Sequence, residues 1–435
     1  MKNFAIQILA WVLKKLAQLM ILRYRPGIIG VTGSAGKTST KLAIAAVLGP
    51  SRRTRFSKGN LNNELGLPIT IIGDFPEEEL ELVGRDTPVG EKKVGKTFFW
   101  LKVIFVGLLN LVRKKRDYPE ILVLEYGADK PGNLKELLEI ARPNISVITA
   151  VGDIPAHVEF FAGPKEVARE KSRLIEQLPS AGFAILNYDD ETVMSLKDRT
   201  RAHVVTFGFQ RGAETRIMNF GNAVEEGKPA GISFKMEYGG SSVPVKINGA
   251  IGRVQAYAAG AAATVGLIFG INLIKISEAL KSYKPAPGRM ELLLGAKGTL
   301  IIDSSYNASP LSMREALETL NNLAGNDSTK LTIKRKIAVL GDMLELGEYS
   351  MEAHERVGKM AAQAADILVT VGVAGKLMAE SARKNGLSKK SIKSFDNADE
   401  AIETVQNLIK KGDLVLVKGS HAMELGKIVE SIKAV

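Results

Sequence analysis

The sequence lacks cysteine altogether and has only four histidines among its 435 residues. A chain without cysteine has no disulfide, no thiolate metal site and no cysteine nucleophile, and so few histidines give little support to a histidine-based zinc site. The absence of cysteine agrees with a reducing compartment. The 16 prolines and 42 glycines are scattered, with no repeat of fixed period and no stretch of disordered composition.

Acidic residues are fewer than basic ones, 47 against 59, which gives a net charge of +12. This balance indicates an anionic partner, such as a nucleotide, a nucleic acid or an anionic lipid. The basic clusters at 52–55, 113–116 and 334–336 are not interleaved with the aromatic residues that single-strand binding uses, so we expect no nucleic-acid partner. A hydrophobic content of 45% and a charged content of 24% are ordinary for a globular chain of two or three domains.

The N-terminal segment 1–25 is mostly apolar, but Lys14 and Lys15 interrupt it. That interruption argues against a secretory signal and against a comfortable membrane span. Its polar residues recur at spacings of four and seven, so they would form one narrow stripe on a helix. We predict an amphipathic helix that either anchors at a membrane surface or packs on the protein's own body. The stripe consists of Asn3, Gln7, Lys14, Gln18 and Arg25.

A second apolar segment, 98–112, ends at the basic run 113–116. It is too short to span a bilayer comfortably, and an apolar helix followed by basic residues suits an anionic membrane surface. Burial as an ordinary core helix is the alternative. We therefore keep two expectations for 1–25 and 98–116: peripheral contact with the inner face of a membrane, or packing within the protein itself.

The segment 28–41 has the pattern of a strand, a tight glycine loop and a helix. Glycines allow backbone N–H groups to approach phosphates, and the N-terminus of the following helix favours their negative charge. In such a loop Lys37 would reach the β- and γ-phosphates, and the Thr38 hydroxyl would bind Mg²⁺. The match to G-x-x-x-x-G-K-[ST] is incomplete, because Val31 stands where the first glycine is expected. The predicted phosphate-binding residues are Gly33, Ser34, Ala35, Gly36, Lys37, Thr38 and Ser39.

Further along, an apolar strand at 121–124 ends at Glu125. Parallel α/β folds bind ligands and metals at the carboxyl ends of their strands, so Glu125 is a candidate Mg²⁺ ligand. A strand at 145–150 and a helix at 164–178 follow. Strands near 299–302, 336–340, 367–371 and 414–417, with helices between them, predict a second open α/β domain after a linker at 284–288.

Several motifs of the chain, in their order and spacing, resemble those of the Mur ligase family. Within the family the chain is most similar to the branch that adds D-alanyl-D-alanine to UDP-N-acetylmuramoyl-tripeptide, and the resemblance covers 27–435. The motifs are Gly33 to Ser39, Gly59 to Asn63, Glu125 to Ala128, His157, Ala168 to Lys171, Pro287 to Glu291, Ile302 to Pro310, Val339 to Gly347 and Val417 to Ser420.

The resemblance implies an α/β fold with a central P-loop-type, parallel-sheet ATPase domain at 26–284. A Rossmann-like C-terminal domain would follow at 285–435, after the N-terminal amphipathic helix 1–25. The family's N-terminal domain, which grips the UDP-sugar, has no counterpart in the roughly 25 residues before the phosphate loop. The implied protein is a monomeric cytoplasmic enzyme of peptidoglycan precursor synthesis.

The implied reaction is ATP-dependent amide ligation through an acyl phosphate, with UDP-muramoyl-peptide and D-Ala-D-Ala as substrates and with ATP and Mg²⁺. By resemblance the catalytic residues are Lys37, Glu125, His157 and Lys171, and the metal ligands are Thr38, Glu125, His157 and Lys171, with Lys171 carbamylated. ATP would also meet Gln255, Arg289 and Asp303, although Gln255 stands where the family usually has His-Asn. Substrate contacts are expected from Asn60, Asn62, Asn63, Asn307, Asp342 and Lys418.

Two alternatives stay open at the level of sequence. One is an amide ligase of the same fold with glutamate or another peptide as the acceptor. The other is a membrane-associated nucleotide-binding scaffold without ligase activity, against which the retention of Glu125, His157 and Lys171 argues.

Overall fold

The computed structural model describes residues 2–83, 93–112, 114, 118–225, 228–324 and 333–434. These residues form two mixed, mostly parallel sheets, so the predicted α/β class is confirmed. Neighbouring residues of one strand enter different apolar clusters: Ile29 and Val31 lie in one cluster and Ile28 in another. Because successive side chains of a strand point to opposite faces, the central sheet is covered on both faces, which explains its continuous apolar strands.

The central sheet has the strand order β2-β3-β1-β4-β5-β6-β7-β8-β9. Strands β1 to β6 are parallel, and β7 is parallel to β6. Strands β8 and β9 extend the sheet by antiparallel pairing, which the sequence analysis did not predict. The strands are β1 Gly27–Thr32, β2 Thr54–Phe56, β3 Ile121–Glu125, β4 Ile145–Ile148, β5 Phe183–Asn187, β6 His203–Gly208, β7 Thr215–Glu225, β8 Lys228–Tyr238 and β9 Ser241–Asn248.

The second sheet has the order β10-β11-β15-β12-β13-β14, and only its edge strand β10 is antiparallel. The four strands predicted in this part of the chain are confirmed as β11, β12, β13 and β15. The strands are β10 Glu291–Gly295, β11 Thr299–Ser304, β12 Arg335–Gly341, β13 Ile367–Val371, β14 Ile392–Phe395 and β15 Asp413–Lys418.

Helices connect most of the parallel strands, whereas β6 and β7 are joined by a short segment without a helix. The helices of the first part are α1 Lys2–Tyr24, α2 Lys37–Leu48, α3 Gly66–Ile72, α4 Glu77–Glu81, α5 Lys93–Val112, α6 Asn133–Ile140, α7 Pro164–Glu176 and α8 Glu191–Met194. Those of the second part are α9 Arg253–Ile268, α10 Leu273–Leu280, α11 Pro310–Ala324, α12 Ser350–Ala364, α13 Gly375–Lys384, α14 Ala398–Leu408 and α15 Gly426–Ile432.

The N-terminal helix α1 packs with α3 and α5 in one apolar cluster that includes Leu13, Ile69 and Phe99. Lys14 and Gln18, from the predicted polar stripe, bind Glu139 at the end of α6. Much of the remaining apolar surface of α1 is exposed. Packing on the protein's own body therefore accounts for one face of α1. Of the basic run 113–116, only Lys114 belongs to the described residues.

The two sheets share an apolar cluster in which Val158 and Val167 meet residues of the C-terminal part such as Leu346. Arg356 of α12 forms an ion pair of 2.9 Å with Asp153, and the Glu159 N–H donates to the Glu345 carbonyl at 3.2 Å. These contacts bring the carboxyl ends of both sets of strands towards a common cleft.

Candidate active site

A cavity of about 770 Å³ opens between the two sheets. Its walls come from residues that follow β1, β3, β4 and β5 on one side and β11, β12 and β15 on the other. Ligands of open α/β sheets bind outside the carboxyl ends of the strands, so the cavity lies where the fold predicts a site.

The phosphate loop joins β1 to α2 and has the geometry of an anion-binding turn. Gly33 and Gly36 have φ values of 149° and 82°, and a Cβ on Gly33 would lie 2.1 Å from Thr149 Oγ1. The loop is fixed by Thr149, whose hydroxyl donates to the Ala35 carbonyl at 2.6 Å. Lys37 folds back, and its ammonium donates to the Gly33 carbonyl at 2.7 Å. The Ser34 hydroxyl oxygen is buried and has no hydrogen-bond partner among the described residues.

Glu125, the last residue of β3, is the centre of a buried polar network. Its carboxylate accepts from the Thr38 hydroxyl at 3.0 Å and from the Asn62 amide at 3.3 Å. It also forms an ion pair of 3.1 Å with Lys41, one helical turn beyond Lys37. Lys41 in addition donates to the Gly59 carbonyl at 3.1 Å, so one ammonium joins α2, β3 and the loop 59–63.

Burial alone would raise the pKa of Glu125, but the positive charges of Lys41, Lys37 and Arg289 lower it to about 2. The carboxylate is therefore ionised at neutral pH despite its complete burial. An ionised carboxylate beside a threonine hydroxyl at the end of a phosphate loop has the chemistry of a Mg²⁺ site.

Lys171 of α7 is buried, and its ammonium has no hydrogen-bond or ion-pair partner among the described residues. Burial and the charge of Lys37 lower the pKa of Lys171 to about 7, against the attraction of Asp129 and Glu170. A large part of this amine is therefore neutral near pH 7, and it is nucleophilic in that form.

His157 lies between the two sheets in a left-handed conformation, with φ of 66°. Its Nδ1 is hydrogen-bonded to the Glu345 carboxylate of the C-terminal part, and its Nε2 lies 3.4 Å from Asp129 Oδ1. In this arrangement the imidazole connects the two halves of the cavity, and both ring nitrogens face carboxylates.

The C-terminal wall contributes Arg289, whose guanidinium stacks over the Tyr306 ring at 4.2 Å. Lys418, at the end of β15, donates to the Ser304 hydroxyl at 3.0 Å and to the Asn307 carbonyl at 2.8 Å. Burial and the charge of Arg289 lower the pKa of Lys418 to about 7, against the attraction of Asp303. This wall therefore offers an anionic ligand the charge of Arg289 and the partly protonated amine of Lys418.

The structure brings most of the predicted site residues to the cavity and keeps others away from it. Those on the cavity wall are Ser34, Ala35, Gly36, Lys37, Ser39, Asn60, Asn62, Glu125, His157, Arg289, Asn307 and Lys418. Those that do not line it are Gly33, Thr38, Asn63, Lys171, Gln255, Asp303 and Asp342.

Four residues of the second group make structural hydrogen bonds with side-chain polar atoms. Asn63 accepts from the Gly66 N–H at 2.8 Å at the start of α3, and Asp342 accepts from the Gly375 N–H at 2.6 Å at the start of α13. Gln255 is buried and donates to the Arg289 carbonyl at 2.7 Å, while its oxygen accepts from Tyr283. Asp303 accepts from the Ser305 N–H at 3.0 Å.

Sequence reasoning missed many residues of the site, and three of them, Lys41, Tyr306 and Glu345, contact predicted site residues directly. Lys41 follows Lys37 by four positions, which places both on one face of α2, and this spacing could have identified it. Tyr306 and Glu345 belong to the motifs that resemble the Mur ligase family, but no ligand contact was predicted for either of them. Their partners, Arg289 and His157, are distant in sequence, so only the folded structure brings the pairs together.

The site suits a nucleoside triphosphate: positive-φ glycines, an unpartnered buried hydroxyl and lysines meet at one end of a cavity of sufficient volume. For Mg²⁺, the described residues contain no group of three or more His, Asp or Glu side chains that could hold a metal ion. Thr38 and Glu125 fit a Mg²⁺ ion that takes its other ligands from phosphates and water, which is its usual coordination.

Two protein-family models match this chain: the Mur ligase middle domain over residues 106–266 and the Mur ligase, glutamate ligase domain over residues 288–421. A UDP-N-acetylmuramoyl-tripeptide–D-alanyl-D-alanine ligase of Mycobacterium tuberculosis is 30% identical over 424 residues, which are 94% of this chain and 73% of that protein. The chain belongs to the Mur ligase family. Members of this family are ATP-dependent ligases that form amide bonds.

Other Mur ligases agree with this assignment. The Bacillus subtilis protein of the same name is 28% identical over 97% of this chain and 79% of its own length. The crystal structure of a MurF ligase from Thermotoga maritima in complex with ADP superposes with a TM-score of 0.75 at 26% identity, over 97% of this chain and 83% of that one. The ADP in that relative supports ATP use in the Mur ligase cavity described above.

Proposed function

We propose that this Mur ligase adds D-alanyl-D-alanine to a UDP-N-acetylmuramoyl-tripeptide in the synthesis of peptidoglycan precursors, and so serves cell-wall formation, cell shape and division. The similarity to curated relatives of that name over most of the chain supports the choice of substrates. The observation that carries the proposal is one cavity in which a phosphate loop, the ionised Glu125 and the basic side chains of Arg289 and Lys418 from the other sheet face each other.

The proposed reaction has two steps. A carboxylate oxygen of the peptide attacks the γ-phosphorus of ATP, the bond to the β-phosphate oxygen breaks, and ADP leaves. The amine of the dipeptide then attacks the acyl phosphate, the C–O bond breaks, and phosphate and a proton are released as the amide forms. Residues that hold both anions in line supply most of the rate enhancement in such transfers.

The chain's own residues divide this work. The loop from Gly33 to Ser39 binds the phosphates through its N–H groups, and Lys37 leaves the Gly33 carbonyl to contact the β- and γ-phosphates. Bound Mg²⁺ would offset the repulsion between the triphosphate and the carboxylate, held by Thr38 and Glu125, with His157 and carbamylated Lys171 as further ligands. Carbamylation needs a neutral amine, and the lowered pKa of Lys171 supplies it at neutral pH.

The C-terminal wall completes the site. Arg289 stands opposite the phosphate loop, where its charge stabilises the transferring phosphoryl group, and Asp303 is proposed for the ribose hydroxyls. Asn60, Asn62, Asn307 and Lys418 line the same cavity and are placed for the peptide substrates. Gln255, Asn63 and Asp342 remain weaker candidates for ligand contact, since each already serves a backbone group.

We place the reaction in the cytoplasm, where ATP and the nucleotide-linked precursor occur, and we expect a monomer without a nucleic-acid partner. The second candidate is a ligase of the same fold with glutamate or another peptide as acceptor. The matched C-terminal model, described as a glutamate ligase domain, favours it.

The test is release of phosphate from ATP by the purified chain with UDP-muramoyl-tripeptide and Mg²⁺, with and without D-Ala-D-Ala. Release that depends on the dipeptide supports the proposal, whereas release that depends on glutamate supports the second candidate. A chain that binds ATP and forms no amide with either acceptor would be the scaffold without ligase activity.

A further inference from the structure

Helices α1 and α5 expose an unusual amount of apolar surface. The exposed side chains of α1 include Phe4, Ile8, Trp11, Leu19 and Leu22, which follow spacings of three, four and eight and so lie on one face of the helix. This stripe is about 27 Å long at the rise of an α-helix. Lys15, also exposed, lies within it. The opposite face, with Leu13, Leu16, Ala17 and Met20, is buried.

Helix α5 has the same division. Phe98, Leu101, Phe105, Leu108 and Val112 recur every three or four residues on its exposed face, and Phe98 and Phe105 are 74% and 66% exposed. Its buried face holds Phe99 and Val103, which join the same cluster as Leu13 and Leu16 of α1. Since both helices bury one face in a common cluster, the two exposed stripes lie on the outer side of one helical layer.

This layer is continuous and fixed to the body of the protein. A Cβ on Gly107 of α5 would lie 3.2 Å from Leu16 of α1, so the helices approach closely there. Asn110 donates to the Ile72 carbonyl of α3 at 2.8 Å, and Tyr24 donates to the Asn110 carbonyl. A folded protein rarely leaves so large an apolar patch in water unless the patch meets a partner or a membrane.

The charges of the layer formed by α1 and α5 indicate which kind of surface covers its exposed face. Neither helix contains an acidic residue, whereas α1 has four basic residues and α5 has three. Lys15 and Arg142 border a shallow groove beside Leu22, and neither forms an ion pair among the described residues. Lys14 and Lys102 are ion-paired with Glu139 of α6 and Glu79 of α4, so basic residues of the layer exceed its acidic neighbours but are not alone there. Apolar stripes with an excess of basic residues complement a bilayer whose surface carries anionic headgroups. A second copy would bring like charges together.

We propose that the outer face of α1 and α5 docks the protein on an anionic lipid bilayer, with the apolar stripes at the acyl boundary and the basic residues at the headgroups. Both helices meet the length and composition of a membrane span. Each nevertheless keeps one face in the protein core, so the helices lie on the membrane and do not cross it. The proposal is independent of which acceptor the ligase uses.

The chain has two tryptophans, Trp11 and Trp100, and Trp11 is 61% exposed on the docking face. A Trp100→Phe variant therefore reports from Trp11 alone. Its fluorescence is expected to shift to the blue with vesicles of phosphatidylcholine and phosphatidylglycerol and to be quenched when the lipids are brominated. Vesicles of phosphatidylcholine alone should bind about tenfold more weakly.

Flotation of the full chain with the same vesicles supplies the comparison of variants. Phe98→Gln/Phe105→Gln should weaken binding at least about tenfold. The control Ile274→Gln/Leu294→Gln replaces apolar residues that are equally exposed elsewhere and should bind like the wild type. Thermal unfolding with nucleotide verifies that all variants are folded.

Four results would overturn the proposal. The first is an absence of vesicle binding by the wild type, and the second is equal binding by the stripe and control variants. The third is resistance to extraction by alkaline carbonate, which would mean that the helices span the bilayer. A dimer that forms through this face in sedimentation and excludes vesicles would assign the layer to a second copy.

Discussion

Lys41 Nζ lies 3.1 Å from Glu125 Oε2, and both side chains are 1% exposed. The pair holds the carboxylate ionised beside the phosphate loop before any metal ion arrives. The attraction between the two buried charges offsets their desolvation only while both are present. The pair thus keeps Glu125 negatively charged at the proposed metal site.

The first prediction concerns this pair. Lys41→Met should destabilise the protein by about 3 to 5 kcal/mol, because it leaves an unpaired buried carboxylate. The double variant Lys41→Met/Glu125→Gln should recover most of that loss and yet have no ligase activity. Thermal unfolding measures the stability, and Lys281→Met, which breaks the exposed pair with Glu278, should change it by less than about 1 kcal/mol. Equal stability of the single and double variants would contradict the coupling.

The second prediction follows from the pKa of Glu125, about 2 in the folded chain against 4.5 for a free side chain. The unfolded chain binds the proton first, so this group stabilises the fold above pH 4.5 and loses that contribution as the pH falls towards 2. Wild type should therefore lose more stability than Glu125→Gln over that interval. The prediction is wrong if the free energy of unfolding falls by the same amount in the two proteins between pH 4.5 and pH 2.

The third prediction concerns Lys171, whose pKa is about 7 in the folded chain and 10.5 in the unfolded chain. The buried amine lowers the free energy of unfolding by its full amount below pH 7, and this destabilisation disappears as the pH rises to 10.5. Lys171→Met should therefore raise the melting temperature by at least about 2 °C at pH 7, less at pH 10, while it abolishes ligation. Lys165→Met, on the exposed face of the same helix, should alter neither property. Full activity in Lys171→Met would remove this residue from the proposed metal site.

The fourth prediction concerns Lys37. Lys37→Met should lower ATP-dependent phosphate release at least about a hundredfold, since the phosphates lose their closest mobile cation. The rise in melting temperature on addition of ADP should also decrease. Lys135→Met, which removes an exposed lysine of α6, serves as the control. An unchanged response to ADP would mean that nucleotide binds elsewhere.

The fifth prediction concerns the contact between His157 and Glu345. Glu345→Gln should shift the equilibrium between a closed and an open arrangement of the two sheets towards the open one by at most about fivefold, because contacts between partly exposed polar side chains are weak. The absence of cysteine allows a fluorophore pair at introduced Lys165→Cys and Lys359→Cys, whose energy transfer should decrease without nucleotide and recover with ATP. Glu318→Gln is the matched control. Energy transfer that is identical in both variants would exclude a role in closure.

Much of the fold could be predicted because parallel, buried strands are continuous apolar runs followed by helices. Strands β1, β3, β11 and β15 are of this kind. The antiparallel extension β8–β9 was missed even though its residues alternate between buried and exposed, a period-two signal that short windows share with loops. The sequence could not decide whether 1–25 packs on the protein's own body or lies at a membrane surface. In the structure one face of α1 packs on α3 and α5, and the opposite face is exposed.

The site was less predictable than the fold. The pattern of strand, glycine loop and helix predicted the phosphate loop, and the position of Glu125 at the end of a strand predicted its place in the site. The position of Asn63 at the start of α3 follows from ordinary Asx chemistry, which competes with any ligand role. Asp342 accepts from N–H groups at the start of α13, more than thirty residues away in sequence, so its contact has no local signal. Contacts between residues far apart in sequence, such as Arg289 with Tyr306, depend on the packing of two sheets and have no local signal.

The most direct test of the proposed function is mass spectrometry of the product formed from UDP-muramoyl-tripeptide, D-Ala-D-Ala, ATP and Mg²⁺. The proposal predicts a UDP-muramoyl-pentapeptide, formed in equal amount to ADP by the wild type and absent with Lys37→Met. ATP hydrolysis without a new amide, or an amide formed with glutamate alone, would contradict it.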